Sequence, residues 1–563
     1  MAVISLPDAF KRSYDSFERF PNLKNTLLRK LYGVSELEAQ YKRLSKRQQD
    51  LLVSDQDTHV PIRDILANGK IEKNNYASDA EIRQWLGDSS KPDPRDPTRQ
   101  IGQIATKEDP MCRLIFLVSD SVTKPLKISL KSLQRIFTYH EISPNFLEFL
   151  DVYGMPNAED QEMRFCGFRT DVHLQNLDGG SIIPDLNRSG RRYSICYNLK
   201  TVKEKRASSV RWKIRQEAIY HQFDVGTGTQ CWVFGDPHAA MKQRLAMVFH
   251  ECETHRDNFA TVSNSFSSSL DVHLEAARWS SGDWRSHMSF LEQNIRELTS
   301  DITFQAGPIG GHLDTKSQSL LEKSQSLLEI QDYENKINDA ILSLESNTDN
   351  MESLQGFYQY LVQDVDFPET ERNSCQGSVK IFQLRIRELV YNIKMQIRRA
   401  RVLLKEAGDQ KAIFAQLLQT QAGIRAEKLS STMWRQAEKT SQEAIAMRII
   451  TVITLLYLPP TFVSTVFSTE IVSYQREDGS VITESYSPLA LQRWLAVSLP
   501  LTLVTVLAAL GWYWHERRHV KGQAKQLEQE HPDLFRLTSG LPGGLHGFKA
   551  SSTWSSACQR TVN

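Results

Sequence analysis

Thr451, Thr454, Thr461, Thr465 and Ser468 follow one another at steps of three or four, with Leu458 filling the one gap. At 3.6 residues per turn this spacing sets them on one face of a helix, and most of the residues between them are apolar. A column of hydroxyl oxygens can replace part of a cation's hydration shell along a pore, and polar groups within a bilayer face protein or water rather than lipid. The spacing also has a plainer reading, in which each hydroxyl bonds the carbonyl one turn back or holds a neighbouring helix. Spacing alone leaves both open. Pro459-Pro460 removes two amide donors in mid-run and leaves carbonyls of the preceding turn without partners. That fits a kinked helix beside a cavity, or one braced by neighbouring helices. Beyond the column, Glu470–Arg493 carries four acids (Glu470, Glu477, Asp478, Glu484) against two arginines.

Two uncharged apolar runs position these residues: Ile449–Thr469 and Trp494–Trp514. Each matches the roughly 20 residues a helix needs to cross a bilayer core. Trp494 and Trp512-Tyr513-Trp514 stand at the two ends of the second run as interfacial anchors. Two crossings put both termini on one side. Arg435, Lys439 and Arg448 precede the first run, and Arg517, Arg518, Lys521 and Lys525 follow the second. This bias predicts an integral, multi-pass membrane protein with both termini cytoplasmic and the acidic loop outside. The sequence does not name the membrane.

The soluble part reads as several pieces. Residues 1–87 suggest short helices, around Asn22–Leu31 and Ser35–Leu52, and 88–110, with Lys-Pro-Asp-Pro-Arg-Asp-Pro, a linker. Strand patterns at Cys112–Val118, Arg192–Val202, Val210–Ile214, Ile219–Phe223 and Cys231–Phe234, followed by helical pattern, predict an α/β domain over 111–305 with a partly antiparallel sheet. Gly307–Gly311 breaks the chain. Residues 312–446 then hold a helix with a seven-residue repeat (Ser317–Lys323, Ser324–Ile330) and a second with Phe382, Ile386, Leu389, Ile393, Ile397, Ala400 and Leu404 on one face. With no proline from Ser378 to Leu458, the second runs on toward the first apolar run. Charge separates the two: Asp314–Glu352 has nine acids and three bases, Lys380–Glu406 eight bases and two acids. Either an acidic helix lies on a basic stalk and feels cations, or two solvated faces merely avoid repulsion. The expected class is an α/β cytosolic domain, long stalk helices and a two-helix transmembrane region (447–469 and 494–514, joined by 470–493 and followed by 515–563), mainly α overall.

Composition excludes several functions. The 68 basic and 67 acidic residues nearly cancel and form no long basic block, so no nucleic acid is expected. Residues 1–20 carry Asp8, Asp15 and Glu18 and lack the apolar core of a signal peptide. The seven scattered cysteines form no CxxC pair and read as reduced thiols. The histidines of His250-Glu251-Cys252-Glu253-Thr254-His255 are five apart, about 140° around a helix, and cannot share a metal as HExxH does. Gly226-Thr227-Gly228 precedes a strand and reads as a hairpin turn. No Walker loop, G-x-S-x-G or zinc-knuckle spacing is present, and no enzyme is expected.

Met447-Arg448-Ile449-Ile450-Thr451 and Tyr457-Leu458-Pro459-Pro460-Thr461-Phe462-Val463 resemble the first transmembrane helix of the CorA-type magnesium transporters, in particular divergent fungal CorA-like proteins. The order of parts matches over about 110–525, and the residue-level likeness is confined to about 440–470; residues 1–87 and the tail after about 538 lie outside it. The resemblance implies a pentameric homo-oligomer whose first spans line a pore, with Met447, Ile450, Leu458 and Thr461 facing it. Its partners would be the lipid bilayer and divalent cations, with Mg²⁺ as substrate and regulator and no resident cofactor. One departure bears on function. Where the family ends this helix with Gly-Met-Asn, this chain has Ser468-Thr469-Glu470. A glutamate ring attracts cations but holds them differently, and Mg²⁺, which keeps several of its waters, would meet Glu470 as an outer-sphere ligand. Two functions follow: a transporter or channel for divalent cations, or a non-conducting scaffold or sensor that has lost the filter.

Overall fold

The structure is a computed structural model of the chain. It describes residues 6–23, 32–93, 96–121, 123–154, 165–175, 182–204, 212–250, 259–305, 313–468 and 488–530. The chain divides into two compact units, 1–419 and 420–563.

In the first unit the order runs α1 (Asp8–Asp15), α2 (Val34–Leu51), β1 (Val60–Ile65), β2 (Ile71–Tyr76), α3 (Asp79–Trp85), β3 (Ser89–Asp93), β4 (Asp96–Ile104), β5 (Cys112–Leu117), α4 (Leu130–Tyr139) and α5 (Phe146–Leu150). It continues with β6 (Phe168–His173), β7 (Arg192–Glu204), β8 (Trp212–Asp224), β9 (Gln230–Gly235), α6 (Ala239–His250), α7 (Val262–Ser281), α8 (Trp284–Gln305) and α9 (Leu313–Gln363). Helix α10 (Glu369–Ser468) begins here and α11 (Pro488–Glu530) lies in the second unit.

Among the described residues the main sheet has seven strands in the order β2-β1-β5-β9-β8-β7-β6. Only the central β5–β9 pair is parallel; the other neighbours are antiparallel, as the short connections predicted. Helices cover both faces, so β5 and β9 are buried at every position and read as continuous apolar runs rather than alternating ones. One face packs on α1, α2, α4 and α5 through Phe10, Leu44, Phe137 and Phe149. The other packs on α7, α8 and α9 through Phe266, Leu291 and Tyr358. The Gly226–Gly228 hairpin is as expected: Asp224 accepts from the Gly226 and Thr227 amides (2.9 and 3.0 Å). Gly228 takes a positive φ of 78°, which side chains disfavour.

Two expectations need correction. Residues 60–76, read within a helical N-terminal region, supply β1 and β2 of the main sheet. The stretch read as a linker contains the two-stranded β3–β4 ribbon. Alternation in β1 is masked because Val60, Pro61, Ile62 and Ile65 are buried on both faces. Buried ion pairs bind these segments to the rest: Arg113 of β5 grips Asp64 of β1 through two bonds (2.8 and 3.1 Å), and Arg135 of α4 grips Asp79 of α3 through two more (both 2.8 Å).

Helix α9 locks onto the sheet at an edge that β6 leaves bare. The β6–β7 pairing ends at Phe168↔Tyr197. Beyond it, Asn347 of α9 accepts from the Lys200 amide (2.7 Å) and donates to the Lys200 carbonyl (2.6 Å). Asn350 donates to the Asn198 carbonyl (2.6 Å). Two side-chain amides thus do what a neighbouring strand would do. Helices α9 and α10 then pair along Ile337, Ile341, Leu344, Phe382, Ile386 and Ile393. The acidic helix does lie on the basic one, with Lys394–Glu352 (2.6 Å), Arg401–Glu345 (2.5 Å) and Lys411–Glu334 (2.8 Å) bridging them. The helix expected to continue toward the first apolar run is one element of 100 residues, passing through Gly408, Gly423 and both prolines.

Where β9 ends, one step past its last pair with β8, Ala218↔Gly235, Glu217 of β8 and Asp236 are both buried. Burial raises both carboxyls: Glu217 moves well up, with the Asp236 charge adding to it, and Asp236 moves to about 6 against the opposing Arg215 charge.

Candidate functional site

The sites read from the sequence fall in the second unit, on the C-terminal part of α10 and on α11. The most apolar 18-residue windows of these helices are only 11% and 6% buried within the structure. A core helix of a soluble protein would be mostly covered, so these two offer their apolar surface to the exterior.

Along the apolar run of α10 the least exposed positions are Pro459 and Val463, with Leu455, Pro460 and Phe467 half-buried; Leu455, Pro459, Val463 and Phe467 are the four in register. Steps of four make them one stripe. The hydroxyl column lies on the other side: Thr461 is two residues from both Pro459 and Val463, some 160–200° around the helix. Thr451, Thr454, Thr461, Thr465 and Ser468 are exposed, as are Met447 (70%), Ile450 (61%) and Leu458 (67%). The structure therefore brings every candidate column residue to one uncovered face. Thr469 and Glu470, and the loop acids Glu477, Asp478 and Glu484, lie outside the described residues.

The hydroxyls are oriented. Thr451 donates to the Met447 carbonyl (2.7 Å) and Thr454 to Ile450 (2.5 Å). Thr461 donates to Tyr457 and Thr465 to Thr461 (both 2.9 Å). Each proton is spent on the helix's own carbonyls, as the plainer reading anticipated. The consequence is chemical: a hydroxyl whose proton points inward presents oxygen lone pairs outward. A hydrated cation presents water protons outward, so the column is an acceptor surface suited to a cation that keeps its waters.

Sequence reasoning missed a second hydroxyl row. Ser498, Thr502 and Thr505 of α11 stand at steps of four and three, with Thr502 bonding the Ser498 carbonyl (2.7 Å) and Thr505 the Thr502 carbonyl (2.9 Å). The spacing was available as a signal. Ser498 is buried and its hydroxyl has no partner among the described residues. Thr505 and Leu501 border a groove of about 570 Å³ together with Leu458, Thr461 and Thr465. The Trp494 indole donates to Ser464 (3.0 Å), so this residue, read as an interfacial anchor, also ties α11 to α10. Among the described residues no three His, Cys, Asp or Glu side chains converge as a metal site.

The sequence profile of the CorA-like transporters matches residues 12–303, just over half of the chain. The chain is a CorA-like transporter family member. Its match begins well inside the region that the resemblance had left out, and the fold supplies the reason: β1 and β2 belong to the same sheet as β5–β9. No curated protein matches the chain. The family and the two exposed apolar helices together make this CorA-like chain a membrane protein.

Proposed function

We propose that this CorA-like protein is an oligomeric, channel-type transporter of divalent metal cations, with Mg²⁺ as the preferred substrate and the first span lining the path. The observation that carries the reading is the exposed hydroxyl column of α10, whose protons are committed inward and whose oxygens face out. One chain with two spans cannot enclose a path, and hydroxyls facing lipid are costly, so further copies must cover that face. Helix α10 offers a seam for them: Ile381, Leu384, Tyr391, Met395 and Val402 are exposed at heptad-like spacing. By family resemblance the assembly is five-fold, with Met447, Ile450, Leu458 and Thr461 toward its axis. Both termini lie in the cytoplasm, and Glu470 with Glu477, Asp478 and Glu484 concentrates cations at the outer mouth without replacing their inner waters.

A second reading has its own observation. Ser468-Thr469-Glu470 stands where the family carries Gly-Met-Asn, which fits a non-conducting scaffold or sensor. Metal-uptake complementation in a transporter-deficient host separates the two: restored Mg²⁺-limited growth supports transport, and its absence with normal expression and assembly supports the scaffold.

A further inference from the structure

The sheet face carrying α7–α9 is not filled across its whole width. On the β2–β1–β5 wing that face is roofed by α6, and between them lies a groove of about 300 Å³, at the lower end of the size range of small-molecule sites. Alternate residues of each strand point into it, as strand geometry requires. Ile65, Leu114 and Phe116 form an apolar floor, faced by Leu245 of α6, with the Phe249 ring at one end.

The polar lining has one sign. Arg63, Lys73 and Lys242 all line the groove, and no carboxylate does. Among the described residues none of the three closes an ion pair, in a domain where Arg113, Arg135, Arg188 and Arg192 all do. Arg63 is held in place: its Nη1 donates to the carbonyls of Ile62 (2.8 Å) and Asn74 (2.7 Å) and to Asn75 Oδ1 (3.1 Å). Lys73 stands directly across from it in the β1–β2 register. Lys242 reaches over the Phe116 ring, with Nζ 5.7 Å from the centroid. Burial lowers the Lys242 ammonium below its ordinary range; Asp236 and Glu217 oppose this, and the Arg63 charge adds to it. Burial likewise lowers Arg63. Cations drawn together in a partly dry groove whose lining holds no carboxylate are costly unless an anion joins them.

We infer that this groove binds a nucleoside phosphate, with its phosphates among Arg63, Lys73 and Lys242 and its planar base against the Phe249 ring. An aromatic ring at the end of the groove favours a planar base over an acyl chain, and a two-chain lipid exceeds the volume. Nothing in this inference depends on cation transport, so binding and transport fail or succeed separately.

The test is fluorescence titration of the full-length protein in detergent, without divalent metal, using trinitrophenyl-ATP as probe. Unlabelled ATP, inorganic phosphate and phosphatidylglycerol mixed micelles serve as competitors. The expected result is saturable binding displaced by ATP and only weakly by inorganic phosphate. Lys73→Glu and Lys242→Met each weaken it about tenfold, as loss of one charge-assisted contact should, while Lys131→Glu on α4 changes nothing. Lys73 is exposed, so its variant decides the matter if Lys242→Met does not fold. Absence of saturable binding, or unchanged affinity in Lys73→Glu with a normal melting curve, overturns the inference. Displacement by phosphatidylglycerol but not by ATP also overturns it, in favour of a lipid headgroup.

Discussion

Replacing Asn347 by leucine tests how the α/β domain holds the long helices. Asn347 is fully buried and its amide closes two bonds on the Lys200 backbone, at 2.7 and 2.6 Å. Leucine keeps most of the volume but leaves the Lys200 N–H and carbonyl with no acceptor or donor and no water. Each buried backbone group left so costs about 1–3 kcal/mol. Better burial of an apolar side chain offsets part of this, which leaves a net loss of about 2–4 kcal/mol. That is a large share of the roughly 5–15 kcal/mol that holds a domain folded. For a unit of this size it lowers Tm by roughly 2–6 °C. The assay is thermal unfolding of the detergent-solubilised protein followed by tryptophan fluorescence, with Asn338→Leu, at an exposed position of the same helix, as the matched control. Asn350→Leu should behave like Asn347→Leu but more mildly, since its amide donates to one backbone carbonyl. If Asn347→Leu and Asn338→Leu melt within about 1 °C of each other, the amides do not hold α9 to the β7 edge and the account of that junction is wrong.

Other expectations are briefer. Thr461→Val should lower divalent-metal uptake severalfold without changing oligomer mass on native gels, since it removes an outward oxygen and keeps the volume. Glu470→Gln should lower uptake strongly, whereas Glu484→Gln, farther along the loop, should act weakly and lose its effect as salt rises past physiological strength, where screening sets in beyond about 8 Å. Both are read by isotope or dye flux, and unchanged flux in a conducting Glu470→Gln would remove the glutamate from the filter. Glu217 is held protonated by burial; a carboxyl raised in the folded state contributes stability below its unfolded pKa that is lost as pH rises through the folded one. Glu217→Gln should therefore gain on the parent as pH rises from 5 to 8, by up to about 1.4 kcal/mol per unit while the carboxyl stays protonated, as read by chemical denaturation at each pH. Reversing the exposed Arg401–Glu345 pair should change stability by no more than about 1 kcal/mol.

The sequence determined the parts whose physics is local. Two uncharged runs of about 20 residues admit few environments, so both spans were legible, as was the hydroxyl column, because helical periodicity alone sets Thr451 to Ser468 on one face. The long helices and their opposite charges were legible for the same reason, and so was the Asp224-capped hairpin, whose glycines meet a need that spans four residues. Tertiary structure decided what depends on partners far apart in sequence. β1 was hidden because residues buried on both faces lose the alternation that marks a strand, and β2 because its Glu-Lys-Asn-Asn interior is polar at a sheet edge; it is the pairing of Ile62 with Ile115 that makes them one sheet with the rest. Nothing local marks Asn347 and Asn350 as substitutes for a strand; only the early end of β6 gives their amides a bare edge to satisfy. The same holds for Arg63, Lys73 and Lys242, three unremarkable cations until β1, β2 and α6 converge on one partly dry groove whose lining holds no carboxylate.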